Sequence, residues 1–325
     1  MAERYLFYTE LAKLINAGFG MDRALKTIGH SPPSFATGKV TRTLQAALAS
    51  GCGLRNAFAQ AEFPFLDLAI IGAGERGGRL VEAFGHLADY HGMLARARKR
   101  AVHALIYPVA LLHLGVAAGN LPAALMAGER GILRIVAGML PDLLLLYAVA
   151  LGIWLAWVFL ARRAPHSPAL DSALNSIPLL GKTRRALAMA RFTKIWHISV
   201  LAALPMRETI ENSARASRSG SLRAASETLL VTLERGEPLG PAMLTATAFP
   251  PAFASGYATA EESGSIDKEL ARWSRYFETE AETGTKLLAD VVPKLIYFAA
   301  LLYVAWKIVG FYQGYYEGIF QQLEG

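Results

Sequence analysis

Apolar positions near the start of the chain recur at intervals of three and four. Phe7, Leu11, Leu14, Ile15 and Phe19 share one helix face, and Gly18-Phe19-Gly20 interrupts the pattern. Leu44 and Leu48 continue the helical period until Gly51-Cys52-Gly53. Leu54 to Phe58 predicts a short helix, and Phe65 to Ala73 another that stops near Gly77-Gly78. Leu80, Phe84, Leu87 and Tyr90 or His91 begin a last helix that heads into an apolar stretch. No segment alternates with period two between hairpin turns, so strands are not expected.

Three stretches are apolar over the ~20 residues needed to cross a bilayer as a helix: Val102 to about Leu121, Met139 to Leu160, and Leu287 to Val309. Pro108 and Pro293 fall inside the first and third, where neighbouring groups satisfy the carbonyl a proline frees. Lys and Arg in short flanks set orientation. Arg96, Arg98, Lys99 and Arg100 precede the first span, and Arg162 and Arg163 follow the second, whereas the intervening loop holds only Arg130 and Arg134. These six flanking residues are therefore expected at the cytoplasmic face as anchors to anionic lipid. The N-terminus is then cytoplasmic and the C-terminus external. Phe311, Tyr312, Tyr315, Tyr316 and Phe320 would form an interfacial aromatic belt in a short tail.

The chain also repeats itself. Phe7 to Phe58 lies over Phe192 to Met243 at a constant offset, with Ala17 on Ala202, Met21 on Met206 and Gly51 on Gly236. After one inserted residue, Phe63-Pro64 lies on Phe249-Pro250, Glu75 on Glu261, Gly78 on Gly264, Leu80 on Ile266 and Tyr90 on Tyr276. Pro108 pairs with Pro293. Two such units in one orientation need an odd number of extra crossings between them, and the second span supplies it.

The expected architecture is all-α: two repeated cytoplasmic bundles of about six helices each and three transmembrane helices. The first bundle takes residues 1–100 and the first two spans 101–161. The second bundle takes 162–285, and the third span with its tail 286–325. Composition agrees. Of 325 residues, 53% are hydrophobic and 18% charged, against about 25% charged in soluble domains, and the mean hydropathy is +0.30. Disorder is excluded. The formal charge of +7 fits cytoplasmic-face Lys and Arg better than nucleic acid, because the run Arg96 to Arg100 abuts a span and lacks interleaved aromatics. Cys52 is the sole cysteine, so no internal disulfide exists.

Catalytic patterns are sparse. Gly181-Lys182-Thr183 lacks the first glycine and the strand of a phosphate-binding loop, and reads as a helix start. His86 and His91 are five apart, off the spacing that places two metal ligands on one helix face. They read as surface or partly buried residues. His103 and His113 lie in the first span and suggest hydrogen bonding within the membrane. No catalytic, metal or cofactor site is expected. Glu75 and Glu261 stand out, since each closes a helix ahead of the Gly78 or Gly264 turn. A carboxylate opposes the dipole there, unless it caps the free N–H groups that open the next helix. Glu75, Gly78, Glu261 and Gly264 are thus expected to hold the interhelical turn.

The strings FYTELAKLINAGFGMDRAL, SGCGLRNAF followed by FP, GERGGRL, IPLLGKTRRALAMARF, ERGEPLGPAM and EESGSIDKEL, in this order around the spans, resemble the bacterial type II secretion F family. That family includes inner-membrane platform proteins of type II secretion and type IV pilus assembly. Ala203, Pro205 and His197 depart from its usual pattern. The resemblance implies a non-enzymatic platform that links a cytoplasmic assembly ATPase to pilin-like or pseudopilin subunits. It also implies contacts with other inner-membrane scaffold proteins and a homo-oligomer, dimer or trimer. A small oligomeric transporter built from parallel repeats is the alternative.

Overall fold

A computed structural model describes residues 2–30, 35–125 and 131–324. Among them are fourteen α-helices and no strand. The first repeat folds into α1 (Ala2–Asn16), α2 (Met21–His30), α3 (Phe35–Ala49), α4 (Leu54–Gln60), α5 (Phe65–Arg76) and α6 (Leu80–Leu125). The second repeat has six counterparts in the same order. They are α9 (Leu180–Leu201), α10 (Met206–Ser217), α11 (Gly220–Glu234), α12 (Leu239–Thr245), α13 (Pro251–Glu262) and α14 (Ile266–Glu324). Between the repeats lie α7 (Gly131–Arg163), a single 3-10 turn (Ala164–His166) and α8 (Pro168–Asn175). Ser167 opens α8 by accepting from the Leu170 N–H at 3.4 Å, with Pro168 behind it as a preset first residue.

The chain divides into two compact units. Met1–Arg96 and Arg162–Thr285 form one; Ala97–Ala161 and Lys286–Gly325 form the other. The first unit has two cores. Phe7, Tyr8, Leu11, Leu25, Leu44, Phe58, Ile71 and Phe84 fill the first repeat, and Ile195 and Ile198 of α9 enter the same cluster. Phe192, Trp196, Ile210, Leu229, Met243, Phe253, Tyr257 and Phe277 fill the second. Each such side chain contributes about 1.5–3 kcal/mol by leaving water. The repeats are further joined by Arg76 of α5, whose two terminal nitrogens donate to the Glu208 carboxylate of α10 at 2.9 and 2.6 Å. That fork holds Glu208 below the usual carboxylate range.

The second unit holds the apolar stretches. Among the described residues, three helices are long and apolar enough to cross a membrane. In α7 the most apolar stretch has no buried residue, and Leu144, Leu145, Ile153 and Trp154 stand exposed. So large an apolar surface on a water-soluble protein marks an interface; here it suits lipid. At 46 and 59 residues, α6 and α14 extend about 69 and 88 Å at 1.5 Å per residue, more than twice the ~30 Å hydrocarbon core. The expected aromatic tail after the third span is helical, since α14 continues to Glu324. Tyr312 and Tyr316 are exposed on it. Arg130 and the side chains of Arg134, Phe311, Tyr315 and Phe320 lie outside the described residues.

Candidate functional site

The two glutamates singled out by the repeat adopt the same geometry. Glu75 accepts from the backbone N–H groups of Leu54 at 2.7 Å and Arg55 at 3.1 Å. Glu261 accepts from Leu239 at 2.9 Å and Gly240 at 2.7 Å. These N–H groups open α4 and α12, the short helices that precede α5 and α13. The expectation that each glutamate caps the next helix is therefore corrected. The long terminal helix begins on the far side of the turn, whereas α4 and α5, like α12 and α13, pack as a hairpin that brings the last turn of one beside the first turn of the other. Neither α4 nor α12 has a side-chain cap of its own, since Gly53 and Pro238 precede them, so the distant carboxylate takes that role. Gly78 and Gly264 both sit at φ +67°, the left-handed turn that separates the two long helices from what comes before.

A second cluster in the first repeat was not foreseen. Asp67, fully buried in the first turn of α5, accepts from the Tyr8 hydroxyl at 2.8 Å. His91 Nε2 lies 3.0 and 3.1 Å from its two oxygens. A carboxylate accepts only, so Nε2 carries the proton. His91 Nδ1 is buried without a partner. Burial, and then the Asp67 charge, push the Tyr8 hydroxyl well above its usual value, which keeps it a donor. His91 is thus buried rather than the surface or partly buried residue expected. The usable signal was a lone carboxylate within the apolar string Phe65 to Ile71.

Asp171 of α8 forms a further buried cluster. It receives Arg184 Nη2 at 2.9 Å, the Ser219 hydroxyl at 2.5 Å and the Ser221 N–H at 3.2 Å. It ties α8 to the start of α11.

Within the membrane-type unit, Lys307 of α14 pairs with Asp142 of α7 at 2.6 Å, and the Asn120 side chain donates to the same carboxylate at 3.4 Å. The partner neutralises each charge, which is how ionisable groups persist in such segments. His113 lies 2.7 Å from the Val109 carbonyl and 2.9 Å from the Tyr147 hydroxyl; His103 is exposed. Pro108 and Pro293 are both buried, and their helices run through them unbroken. Of the basic flank, Arg98, Lys99, Arg162 and Arg163 are exposed. Arg100 approaches Asp290 at 4.0 Å in that unit, and Arg96 approaches Glu282 at 3.9 Å in the other. Among the described residues, no group of three or more His, Cys, Asp or Glu is placed to hold a metal.

The two helical repeats are thus capped alike, and three of the described helices are apolar enough to cross a membrane. A family model, Type II secretion system (T2SS), protein F, matches residues 7–126 and 192–316. The chain belongs to the type II secretion system protein F family. The double match spans both repeats and begins at the same residues, Phe7 and Phe192, as the sequence overlay. The chain is 26% identical to the type 4 fimbrial assembly protein PilC of Pseudomonas putida over 94% of its own length and 81% of the relative's. It is 23% identical to the type II secretion system protein F of Aeromonas hydrophila, covering 91% and 81%. It is 22% identical to the type IV pilus assembly protein PilC of Thermus thermophilus, covering 91% and 78%.

In this F-family chain, the paired Glu caps and the glycine turns are features of both repeats. The Asp67–His91–Tyr8 cluster is confined to the first, and the intramembrane Asp142–Lys307 pair joins the inter-repeat helix α7 to the last helix.

Proposed function

We propose that this protein is a non-enzymatic inner-membrane platform of a type II secretion or type IV pilus-type machine. It couples a cytoplasmic assembly ATPase to pilin-like or pseudopilin subunits and meets other scaffold proteins, as a dimer or trimer. In this reading both bundles and the N-terminus are cytoplasmic and the C-terminus is periplasmic. Residues 1–100 and 162–285 then form the two bundles and 101–161 and 286–325 the membrane segments. Arg96, Arg98, Lys99, Arg100, Arg162 and Arg163 hold the inner leaflet.

The observation that carries the reading is that each repeat closes on one unbroken helix, α6 or α14, whose later part is an apolar span. A push on the folded part of such a helix is passed along it, because the helix continues through Pro108 or Pro293 although each proline removes one N–H from the ladder. Relatives named for secretion and for pilus assembly support the same reading. The transporter alternative gains little from Asp142 and Lys307, which neutralise each other.

The test is made in the host. A Gly-Gly-Gly insertion after Arg96 interrupts α6, and the protein is purified in mild detergent alongside the wild type. The expected result is retained co-purification of a secretion-type ATPase with loss of fibre or pseudopilus assembly. Assembly at wild-type levels, or a wild-type eluate with neither ATPase nor pilin-like protein, overturns the proposal.

A further inference from the structure

Within the bundle unit, the structure holds a cavity of about 880 Å³ between the first repeat and the chain from Arg162 to Arg223. Six guanidiniums line it: Arg4, Arg162, Arg191, Arg215, Arg218 and Arg223. Only Glu3 and Asp67 oppose them, and Asp67 is already taken by Tyr8 and His91. Among the described residues none of the six is ion-paired with a carboxylate. Arg215 lies over the Phe65 ring at 4.1 Å and Arg4 over Phe63 at 5.4 Å, which fixes their planes. Arg223 Nη1 meets His166 Nδ1 at 3.2 Å. Arg191 gives one nitrogen to the Ser217 carbonyl at 3.2 Å, while its Nε is buried without a partner.

Clustered guanidiniums repel one another, and an anion seated among them replaces that repulsion with attraction. A second observation points to a ligand that also carries a donor. His91, 4% exposed, lines this cavity, and its Nδ1 has no protein partner. With Nε2 donating to Asp67, Nδ1 is an acceptor, and a ligand hydroxyl or a protonated phosphate oxygen supplies the donor it lacks.

We infer that this cavity binds a phosphate-bearing ligand with two or more negative charges. The planar fork of arginine matches phosphate oxygens in pairs. The volume lies in the upper range of small-ligand sites, so an organic phosphate or diphosphate fits better than one inorganic ion. Pro64, Leu66 and Leu94 give the apolar part of the wall. Two sources share this chemistry: the headgroup of an anionic phospholipid, since Arg162 follows the second span within two residues of Leu160, and a soluble phosphate compound. The inference is independent of the platform reading.

The full chain is reconstituted in nanodiscs of phosphatidylcholine alone and titrated calorimetrically with pyrophosphate. In a second arm, it is placed in mixed phosphatidylcholine and cardiolipin, and retained lipid is measured by native mass spectrometry. Arg162→Gln with Arg223→Gln is the test variant, and Arg235→Gln, an exposed arginine outside the cavity, is the control. Both are checked for native helicity and tryptophan emission.

Saturable binding in at least one arm, weakened tenfold or more by the double variant and unchanged by the control, is expected. The arm that binds identifies the source. Absence of binding in both arms overturns the inference. So does equal weakening by the control, which marks general charge attraction. Preference for hexaglutamate over pyrophosphate also overturns it and makes the cavity a carboxylate site for a protein partner.

Discussion

At three equivalent positions the two repeats bury opposite chemistry. Asp67, His91 and Tyr8 of the first stand, in the register set by Phe63-Pro64 and Tyr90, where Phe253, Phe277 and Thr193 stand in the second. In the first repeat a carboxylate is satisfied by a phenol and an imidazole. In the second, Phe253 packs edge-on against Trp273 at 5.8 Å and Phe277 at 6.0 Å, and the Thr193 hydroxyl turns back to the Met189 carbonyl. The same six-helix frame closes over both. A buried polar cluster seldom outperforms well-packed apolar groups of similar volume in stability. The frame therefore does not require Asp67 and His91, and these two line the arginine cavity.

The largest effect comes from moving the polar chemistry to the wrong repeat. Phe253→Asp removes a buried ring and leaves a charge without a partner. It is expected to cost more than about 4 kcal/mol and to abolish the cooperative transition of the second repeat. Within the bundle unit both tryptophans, Trp196 and Trp273, belong to that repeat, so their emission reads it. The ten-residue neighbourhood of Asp67 has no such reporter, and hydrogen exchange along α5 serves instead. Asp67→Ala is expected to cost about 3 kcal/mol, because Tyr8 and His91 lose their acceptor. Asp67→Leu combined with His91→Phe and Tyr8→Phe is expected to return most of that loss. Failure to return it would show that the polar cluster is required for the fold after all.

The glutamate caps test what the repeats share. Glu75→Ala and Glu261→Ala are each expected to lower stability by about 1 kcal/mol, read as equal shifts in the urea midpoint. Unequal costs would break the symmetry of the two hairpins.

A pH effect is shared by the repeats: burial, then Lys194, hold His86 of the first down at about 4, and a histidine of the second behaves alike. His197 occupies the position of Ala12, and burial, then Lys194, hold it down at about 4 from an ordinary 6.5. Arg275 and Arg79 also lower it, and Asp267 raises it. The unfolded chain binds this proton first as pH falls. The stability His197 contributes is thus complete above 6.5 and is lost as pH drops toward 4. His197→Ala is expected to reduce the fall of the thermal midpoint between pH 6.5 and 4 without abolishing it, because His86 keeps its own share.

The smallest effect lies in one turn. Gly18 sits at φ +83° and its counterpart Ala203 at φ +51°. Ala203→Gly is expected to stabilise by about 0.5–1 kcal/mol and Gly18→Ala to destabilise by about 1 kcal/mol, in calorimetric melts of the two variants.

The helices and their duplication were legible because they rest on local patterns. Apolar residues at helical spacing, Gly78 and Gly264 at the turns, and Phe-Pro at the start of α5 and α13 carry their meaning within a few residues. The Glu caps were half legible. Matching glutamates in the repeat named the residues, but the direction of their reach depends on which helix packs alongside. Asp67 with Tyr8 and His91, Asp142 with Lys307, and the six arginines of the cavity come from distant segments. Only packing brings them together, and each residue alone resembles ordinary surface charge. Asp67 and Asp142 each sit in an apolar run, a signal that marks the carboxylate but not its partner.

The caps also set a clock on synthesis. A seven-residue helix does not persist alone, and α4 gains its cap only when Glu75, 21 residues beyond Leu54, has left the ribosome. At roughly 5–20 residues per second that interval is about 1–4 s. The emerging chain passes through the same wait a second time before Glu261 arrives for Leu239, so each hairpin locks as a unit, one after the other, in the order of translation.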